Sequence, residues 1–99
     1  MPEFIEVDPG ELYLPPSRED GADSAKLARQ LTQFGDSTAG MPALQVTRGK
    51  HGFLRINDGV TRATRVAKLH PGKLVLVEVI HERPTLDVAR MPKIRERLP

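Results

Sequence analysis

The sequence predicts a small mixed α+β domain with a four- or five-stranded mixed sheet and two main helices. Its 99 residues suffice for one modest hydrophobic core. Short alternating or β-branched runs are separated by two segments in which apolar residues recur at helical spacing. Nine prolines and eight glycines indicate short elements joined by many loops. Together these observations predict short helices and strands packed around a single core.

The chain begins with a predicted strand and an irregular loop. FIEV, at residues 4–7, alternates apolar and acidic side chains, which is typical of a half-buried strand. In LYLPPSRED, at residues 12–20, two adjacent prolines require an extended path. The loop is therefore predicted to carry Ser17 and Arg18.

The first helix is predicted from Asp23 or Ser24, either of which can serve as its N-cap, to a stop at Gly35. The predicted apolar face of this helix consists of Leu27, Ala28, Leu31 and Phe34.

Two strands follow, ALQVT at residues 43–47 and FLRIN at residues 53–57, and the short RGKHG segment between them favours a hairpin.

A second helix, a central strand and a tail complete the predicted order. Apolar residues recur at roughly helical spacing in residues 59–69, and Pro71 stops the helix. KLVLVEVI, at residues 73–80, is nearly continuously apolar, which predicts a central strand buried on both faces. Residues 1–82 are thus predicted to form the domain. Residues 83–99 are predicted to form a short, helical, basic tail with little apolar surface, packed on the domain or extending from it.

Composition and charge restrict the kinds of protein this chain can be. The absence of cysteine excludes disulfides, thiolate zinc sites and cysteine nucleophiles. No apolar run approaches the roughly 20 residues of a membrane span, so no membrane partner is expected. Residues 1–24 contain seven acidic residues and one basic residue, and since the net charge is +2 the remainder carries +8. Such a basic body attracts polyanions, although it can also be an ordinary solvated surface.

The segment INDGVTR, where a strand is predicted to give way to a helix, is the main candidate site. A helix that begins after glycine presents unpaired N–H groups and the positive end of its dipole, and Gly59 allows close approach of an anion. Thr61 supplies a hydroxyl and Arg62 a forked guanidinium, and Arg65 is predicted to reach a second phosphate one turn later. Asp58 could hold a divalent metal ion, position a water molecule or orient Arg62.

A simpler interpretation of the same segment is also open. Asp58 and Gly59 can form an ordinary strand-ending turn in which Asp58 or Thr61 caps the helix. Arginines on exposed helix faces are common in proteins of every kind. Residue spacing alone does not decide between this interpretation and a phosphate site.

The chain from FIEV to VEVI resembles the N-terminal domain of the ParB family and the wider ParB/sulfiredoxin fold. The resemblance rests on PPSR in the early loop, on GMPALQV at a strand entry and on DGVTRATRVAKL, a glycine-initiated helix with an arginine three residues later. It implies a phosphate-binding fold for nucleotides or nucleic acids. The positions that it implies for phosphate contact are Gly59, Thr61, Arg62 and Arg18, with Ser17 as a neighbour in the loop.

Two departures narrow what the resemblance implies. ParB partition proteins carry two adjacent arginines where Thr61 here precedes Arg62, so partition-type CTP switching is not expected. Sulfiredoxins depend on a cysteine within this pattern, which the chain lacks, so their reductase chemistry is excluded. The implied branch is the ParB-like nucleases and nucleotide hydrolases, which include bacterial toxin domains.

The expected function is therefore phosphate binding together with cleavage of nucleic acid or nucleoside triphosphates. The expected catalytic residues are Asp58, Thr61 and Arg62, and the candidate cofactor is Mg²⁺ bound to Asp58. The expected partner is nucleic acid or a nucleotide, joined by an immunity protein if the domain is a toxin. The expected location is the bacterial cytoplasm, or a target cell's cytoplasm for a toxin. Two further interpretations are a non-catalytic nucleotide- or DNA-binding regulatory module and a protein-interaction fold without the site.

Overall fold

The predicted mixed α+β class is confirmed by the computed structural model, which describes residues 2–99 and contains two helices and one four-stranded mixed sheet. Neither helix in that range has the length and apolarity needed to cross a membrane. The strands are β1 (Glu3–Val7), β2 (Leu44–Arg48), β3 (Leu54–Asp58) and β4 (Val75–Glu82), and the helices are α1 (Ser24–Phe34) and α2 (Val60–Leu69).

The sheet has the order β1-β4-β2-β3. The predicted hairpin is confirmed, because β2 and β3 pair antiparallel with Val46 opposite Ile56. The predicted central position of the last strand is also confirmed, since β4 pairs antiparallel with β1 and parallel with β2. The parallel pairing places α2 in the connection that leads from the hairpin back to β4.

The core lies between α2 and one face of this sheet. Ala63, Val66 and Ala67 of α2 are buried together with apolar side chains of β2 and β4 such as Val46 and Val77. Burial of this apolar surface holds α2 in place, and it thereby fixes the position of the turn that precedes α2.

The prediction that the last strand is buried on both faces is wrong. Val75 and Val77 are buried, whereas Leu76 between them is 46% exposed. One face of β4 is buried, whereas Leu76 on its other face and Phe4 of the neighbouring strand β1 are exposed. A continuous apolar run therefore does not require two covered faces in this small domain.

Helix α1 begins and ends as predicted but is buried less than predicted. The carboxylate of Asp23 accepts a hydrogen bond of 3.0 Å from the Lys26 N–H, and Gly35 ends the helix with a φ of +57°. Leu27 is the one buried side chain of α1, while Ala28 and Phe34 are exposed. The predicted four-residue apolar face is therefore only partly covered.

The tail contributes to the core, which corrects the prediction that it offers little apolar surface. Its two 3-10 turns, Val88–Arg90 and Ile94–Arg97, lie on either side of Pro92, and they bury Val88 and Ile94. The N–H of Ile94 donates a 2.9 Å hydrogen bond to the carbonyl oxygen of Leu12. The tail is thus packed on the domain.

Part of the uneven charge along the sequence is neutralised within the fold. Glu3 of β1 forms an ion pair with Arg48 of β2, and hydrogen bonding to Arg48 lowers the pKa of the Glu3 carboxyl. Glu11 lies 2.7 Å from Nζ of Lys93 and 2.8 Å from a guanidinium nitrogen of Arg95. The hydrogen bond from Lys93, aided by the charge of Arg95, lowers the pKa of Glu11. Acidic residues near the start of the chain therefore neutralise basic residues of the tail and of β2.

Candidate functional site

A cleft of about 520 Å³ lies where α1, the start of α2 and the early loop meet. The carboxyl end of β3 also contributes to the cleft, because Asn57 and Asp58 both line it. Most of the candidates from the sequence are brought together here, although they come from two segments about 40 residues apart. The predicted residues that line the cleft are Ser17, Arg18, Asp58, Gly59, Thr61 and Arg62.

Gly59 is required by its conformation and by its neighbours. Its φ of +101° is a left-handed value that favours glycine. A Cβ added there would lie 2.6 Å from Cδ2 of Leu44 and 2.8 Å from Nη2 of Arg62. The glycine thus allows the chain to turn from β3 into α2 directly against a buried leucine and the cleft arginine.

The start of α2 has no side-chain cap. Gly59 is the N-cap residue, and no side chain among residues 2–99 accepts a capping hydrogen bond from the first turn. The helical hydrogen bonds begin with the Ala63 N–H, which donates to the Gly59 carbonyl oxygen at 2.8 Å. The interpretation in which Asp58 or Thr61 caps the helix is therefore wrong, and the first-turn N–H groups and the positive end of the dipole remain available to a ligand.

Arg62 and Asp58 form a loose pair at the edge of the cleft. Nη2 of Arg62 lies 3.6 Å from Oδ2 of Asp58. The Asp58 side chain is 68% exposed, whereas that of Arg62 is 22% exposed. Nε of Arg62 is buried and hydrogen-bonds to no group within residues 2–99. A pair this long leaves the guanidinium able to bind another anion, because charge-assisted hydrogen bonds are strongest below about 3 Å.

One wall of the cleft is formed by side chains of α1, and these were not predicted from the sequence. The side chains recur at intervals of three, four and seven residues, the periodicity that places them on one face of a helix. The pattern could have been found by examining the polar face of α1 as closely as its apolar face. These side chains are Lys26, Arg29, Gln30 and Gln33.

The cleft is strongly basic. Four basic side chains line it, and Asp58 is the one carboxylate among the lining residues. Asn57, which was also missed, is held in place because its amide donates a 2.7 Å hydrogen bond to Oγ1 of buried Thr47. This charge balance favours anionic ligands. The four basic side chains are Arg18, Lys26, Arg29 and Arg62.

Arg65 does not belong to the cleft, which corrects the prediction that it reaches a second phosphate. Its side chain is buried, with 2% of the residue exposed, and its guanidinium donates to the carbonyl oxygens of Gly35 at 3.1 Å and Ser37 at 2.6 Å. Burial lowers the pKa of Arg65 from its ordinary value. The guanidinium is thus occupied by the end of α1.

The residues present could contribute one ligand to a metal ion. Among residues 2–99, no three His, Asp or Glu side chains form a metal-binding group. Mg²⁺ is nevertheless often held by one or two carboxylates together with water and phosphate oxygens. Asp58 fits that role only in combination with a bound phosphate.

Comparison of the chain with protein-family models, curated proteins and solved structures finds no match.

Proposed function

We propose that this domain binds the phosphate groups of a nucleotide or nucleic acid in the cleft, as its resemblance to the ParB N-terminal domain implies. One observation carries the proposal. The uncapped start of α2 opens at Gly59 into a cleft lined by four basic side chains and a single carboxylate. Phosphate is the common biological anion that matches backbone N–H groups and a guanidinium at the same point.

The arrangement can act on a phosphate in three ways. The N–H groups of the first turn of α2 donate hydrogen bonds, and Gly59 admits the ligand close to the backbone. Arg62 supplies a guanidinium, with Arg18 on the early loop contributing further positive charge. Hydrogen bonds to charged groups are worth about 1.5–3 kcal/mol each. Removal of one such group should therefore weaken binding by about 10-fold to 100-fold.

The size of the cleft suits a small ligand or a short stretch of a longer one. Its volume of about 520 Å³ lies within the range of about 300–1,000 Å³ that is usual for small-molecule sites. The amide side chains of Gln30, Gln33 and Asn57 also line it, and amides can hydrogen-bond to the edges of nucleobases. A nucleotide, or one or two nucleotides of a strand, is the class of ligand that this lining favours.

Hydrolysis of the bound phosphate is the second candidate function, and the position of Asp58 favours it. This carboxylate is exposed to solvent at the edge of the cleft and next to the start of α2. It could position a water molecule for attack, while Arg62 and Thr61 stabilise the charge that develops on the phosphate oxygens. If Mg²⁺ binds with Asp58 as a ligand, it would supply further neutralisation of the phosphate charge. Such activity would make the domain a nuclease or nucleoside triphosphate hydrolase, including the toxin type that an immunity protein restrains.

Binding is tested with the four nucleoside triphosphates and with short single-stranded DNA, duplex DNA and RNA. Calorimetry or fluorescence anisotropy at two salt concentrations would compare the wild-type protein with Arg62→Met and with Arg90→Met. Arg90 is an exposed arginine of the tail that does not line the cleft, so it serves as the matched control. We expect saturable, salt-sensitive binding that falls at least about 10-fold in Arg62→Met and is kept in Arg90→Met. Equal binding by all three proteins would contradict the proposal.

Turnover is tested separately on the ligand that binds. Release of inorganic phosphate, or cleavage of plasmid DNA and structured RNA, would be followed with Mg²⁺ or Mn²⁺ for wild type and Asp58→Asn. Hydrolysis that is lost in Asp58→Asn while binding remains supports the enzymatic function. Binding without turnover in the wild type supports a regulatory module that uses the same cleft.

A further inference from the structure

Arg65 holds the C-terminal end of α1. One guanidinium nitrogen donates to the carbonyl oxygens of Gly35 and Ser37, at 3.1 and 2.6 Å, and the other lies 3.8 Å from Sδ of Met41. The guanidinium carbon also lies 5.3 Å from the centre of the Phe34 ring. A single buried side chain of α2 thus contacts the end of α1 and the loop that follows it.

His70 extends the same attachment. Its Nε2 lies 2.8 Å from the carbonyl oxygen of Asp36, which is between the two carbonyl oxygens that Arg65 binds. The carbonyl groups of Gly35, which is the C-cap of α1, and of the next two residues are therefore held by side chains of α2 and its C-cap. Helix C-termini carry partial negative charge, so a cationic guanidinium is well suited to this position.

Apolar contacts contribute little to holding α1 on the domain. Leu27 is the one buried side chain of this 11-residue helix, Leu31 is half-buried, and Phe34 at its end is exposed. A helix that buries so little apolar area gains little stability from packing. The contacts from Arg65 are consequently a large part of what determines where α1 lies.

The polar face of α1 is also one wall of the cleft. Lys26 and Arg29 line the same cleft as Gly59 and Arg62, which belong to the turn before α2 and to its first residues. Any change in the position of α1 would alter the distance between these two groups of charges. A residue that fixes α1 therefore affects the cleft without lining it.

We propose that Arg65 is a positioning residue for anion binding: by holding the end of α1, it keeps Lys26 and Arg29 directed at a ligand bound on the opposite wall. This inference rests on the proposed phosphate-binding function. Arg65 acts through α1 and does not touch the ligand, so its effect on affinity depends on the presence of the α1 cations.

The first test measures the position of α1 without a ligand. Hydrogen exchange of residues 24–34 would be compared in wild type, Arg65→Met, Arg65→Lys and the control Arg90→Met. We expect faster exchange confined to α1 in Arg65→Met, partial recovery in Arg65→Lys and no change in Arg90→Met. Unchanged exchange of α1 in folded Arg65→Met would overturn the proposal.

The second test is a double-mutant cycle on affinity, with inorganic tripolyphosphate as the probe. Arg65→Met would be made in the wild-type background and in the Lys26→Met/Arg29→Met background. We expect Arg65→Met to reduce the affinity about fivefold to tenfold in the wild-type background and hardly at all in the second background. The second background already lacks the charges of Lys26 and Arg29, whose positions Arg65 is proposed to fix. Equal losses in both backgrounds would show a general structural effect and overturn the proposal.

His70→Ala is the alternative variant if Arg65→Met does not fold. It removes only the contact between His70 and the carbonyl oxygen of Asp36, so hydrogen exchange of α1 should become faster, but by less than is expected for Arg65→Met. No change in that variant would count against the proposal. If the wild-type protein binds no tripolyphosphate or nucleotide, the proposed function fails, whereas the exchange experiment still decides whether Arg65 fixes α1.

Discussion

Arg62 and Arg65 lie on the same helix, three residues apart, and have opposite surroundings. Arg62 lines the cleft and faces the exposed carboxylate of Asp58 at 3.6 Å. Arg65 is buried, and its guanidinium binds backbone carbonyl oxygens at the end of α1. One arginine is available to a ligand, and the other is engaged by the protein itself.

The neighbouring secondary-structure element determines what each of these two arginines can bind. Three residues advance about 300° around a helix, so the two side chains start from directions about 60° apart. Helix α1 lies alongside α2 at Arg65, whereas the cleft opens at Arg62. The same residue type thus lines an open cleft at one position and is a buried structural group one turn later.

The largest expected effect is that of Gly59→Ala, which would displace Arg62 itself. The added Cβ would strain a φ of +101° and meet Leu44 and Arg62 at 2.6 and 2.8 Å. We expect the free energy of unfolding to fall by about 2–4 kcal/mol. Gly72→Ala is the matched control, because Gly72 has a φ of +85° but, apart from its chain neighbours, no atom of residues 2–99 lies within 4 Å of the added Cβ. Urea unfolding would measure both, and equal losses would mean that contact at Gly59 is unimportant.

The second effect separates the two arginines by stability. Arg65→Met removes two hydrogen bonds to carbonyl oxygens and should lower the free energy of unfolding by about 2 kcal/mol. Arg62→Met should change it by less than about 1 kcal/mol, since its one ion pair is long and faces an exposed partner. Thermal and urea unfolding would measure the free energy of unfolding of both variants. Equal destabilisation of the two would contradict the prediction.

A smaller effect is expected from Asp58→Asn. This change removes the one carboxylate among the residues that line the cleft, and Arg62 loses its nearest negative charge. We expect the affinity for tripolyphosphate measured without a divalent ion to increase by about twofold to fivefold. A decrease would show that Asp58 holds the arginine in its binding position.

The smallest effect concerns exposed ion pairs away from both arginines. Lys93 and Arg95 depress the pKa of Glu11, so this group contributes stability above its unfolded pKa of about 4.5, and the contribution is lost as pH falls through the lower folded pKa. We expect Glu11→Gln to be slightly less stable than wild type at neutral pH and equal to it in acid. Unfolding midpoints measured from neutral pH to pH 3 would show whether the two curves converge.

Much of the fold could be predicted because its signals are local. Alternation predicted the strands of the hairpin, and the capping residues Asp23 and Gly35 marked the ends of α1. The exposure of Leu76 could not be predicted, since an apolar run does not say how many faces are covered. The burial of Ile94 was missed because it depends on contacts with residues about 80 positions earlier in the chain.

The cleft was predicted on one side only. Ser17, Arg18 and the residues from Asp58 to Arg62 could be grouped from the turn and from the resemblance. Lys26 and Arg29 were missed because an amphipathic helix is usually identified by its apolar face. The burial of Arg65 could not be predicted, because it depends on how α1 packs against α2.

The contact between Ile94 and Leu12 has a consequence for biosynthesis. The core includes both side chains, and the backbone hydrogen bond between them joins distant parts of the chain. A nascent chain on the ribosome cannot complete this core until residue 94 has been made and released from the exit tunnel. Earlier elements such as the hairpin can form as translation proceeds, but the cooperative folding step must wait for the late segment.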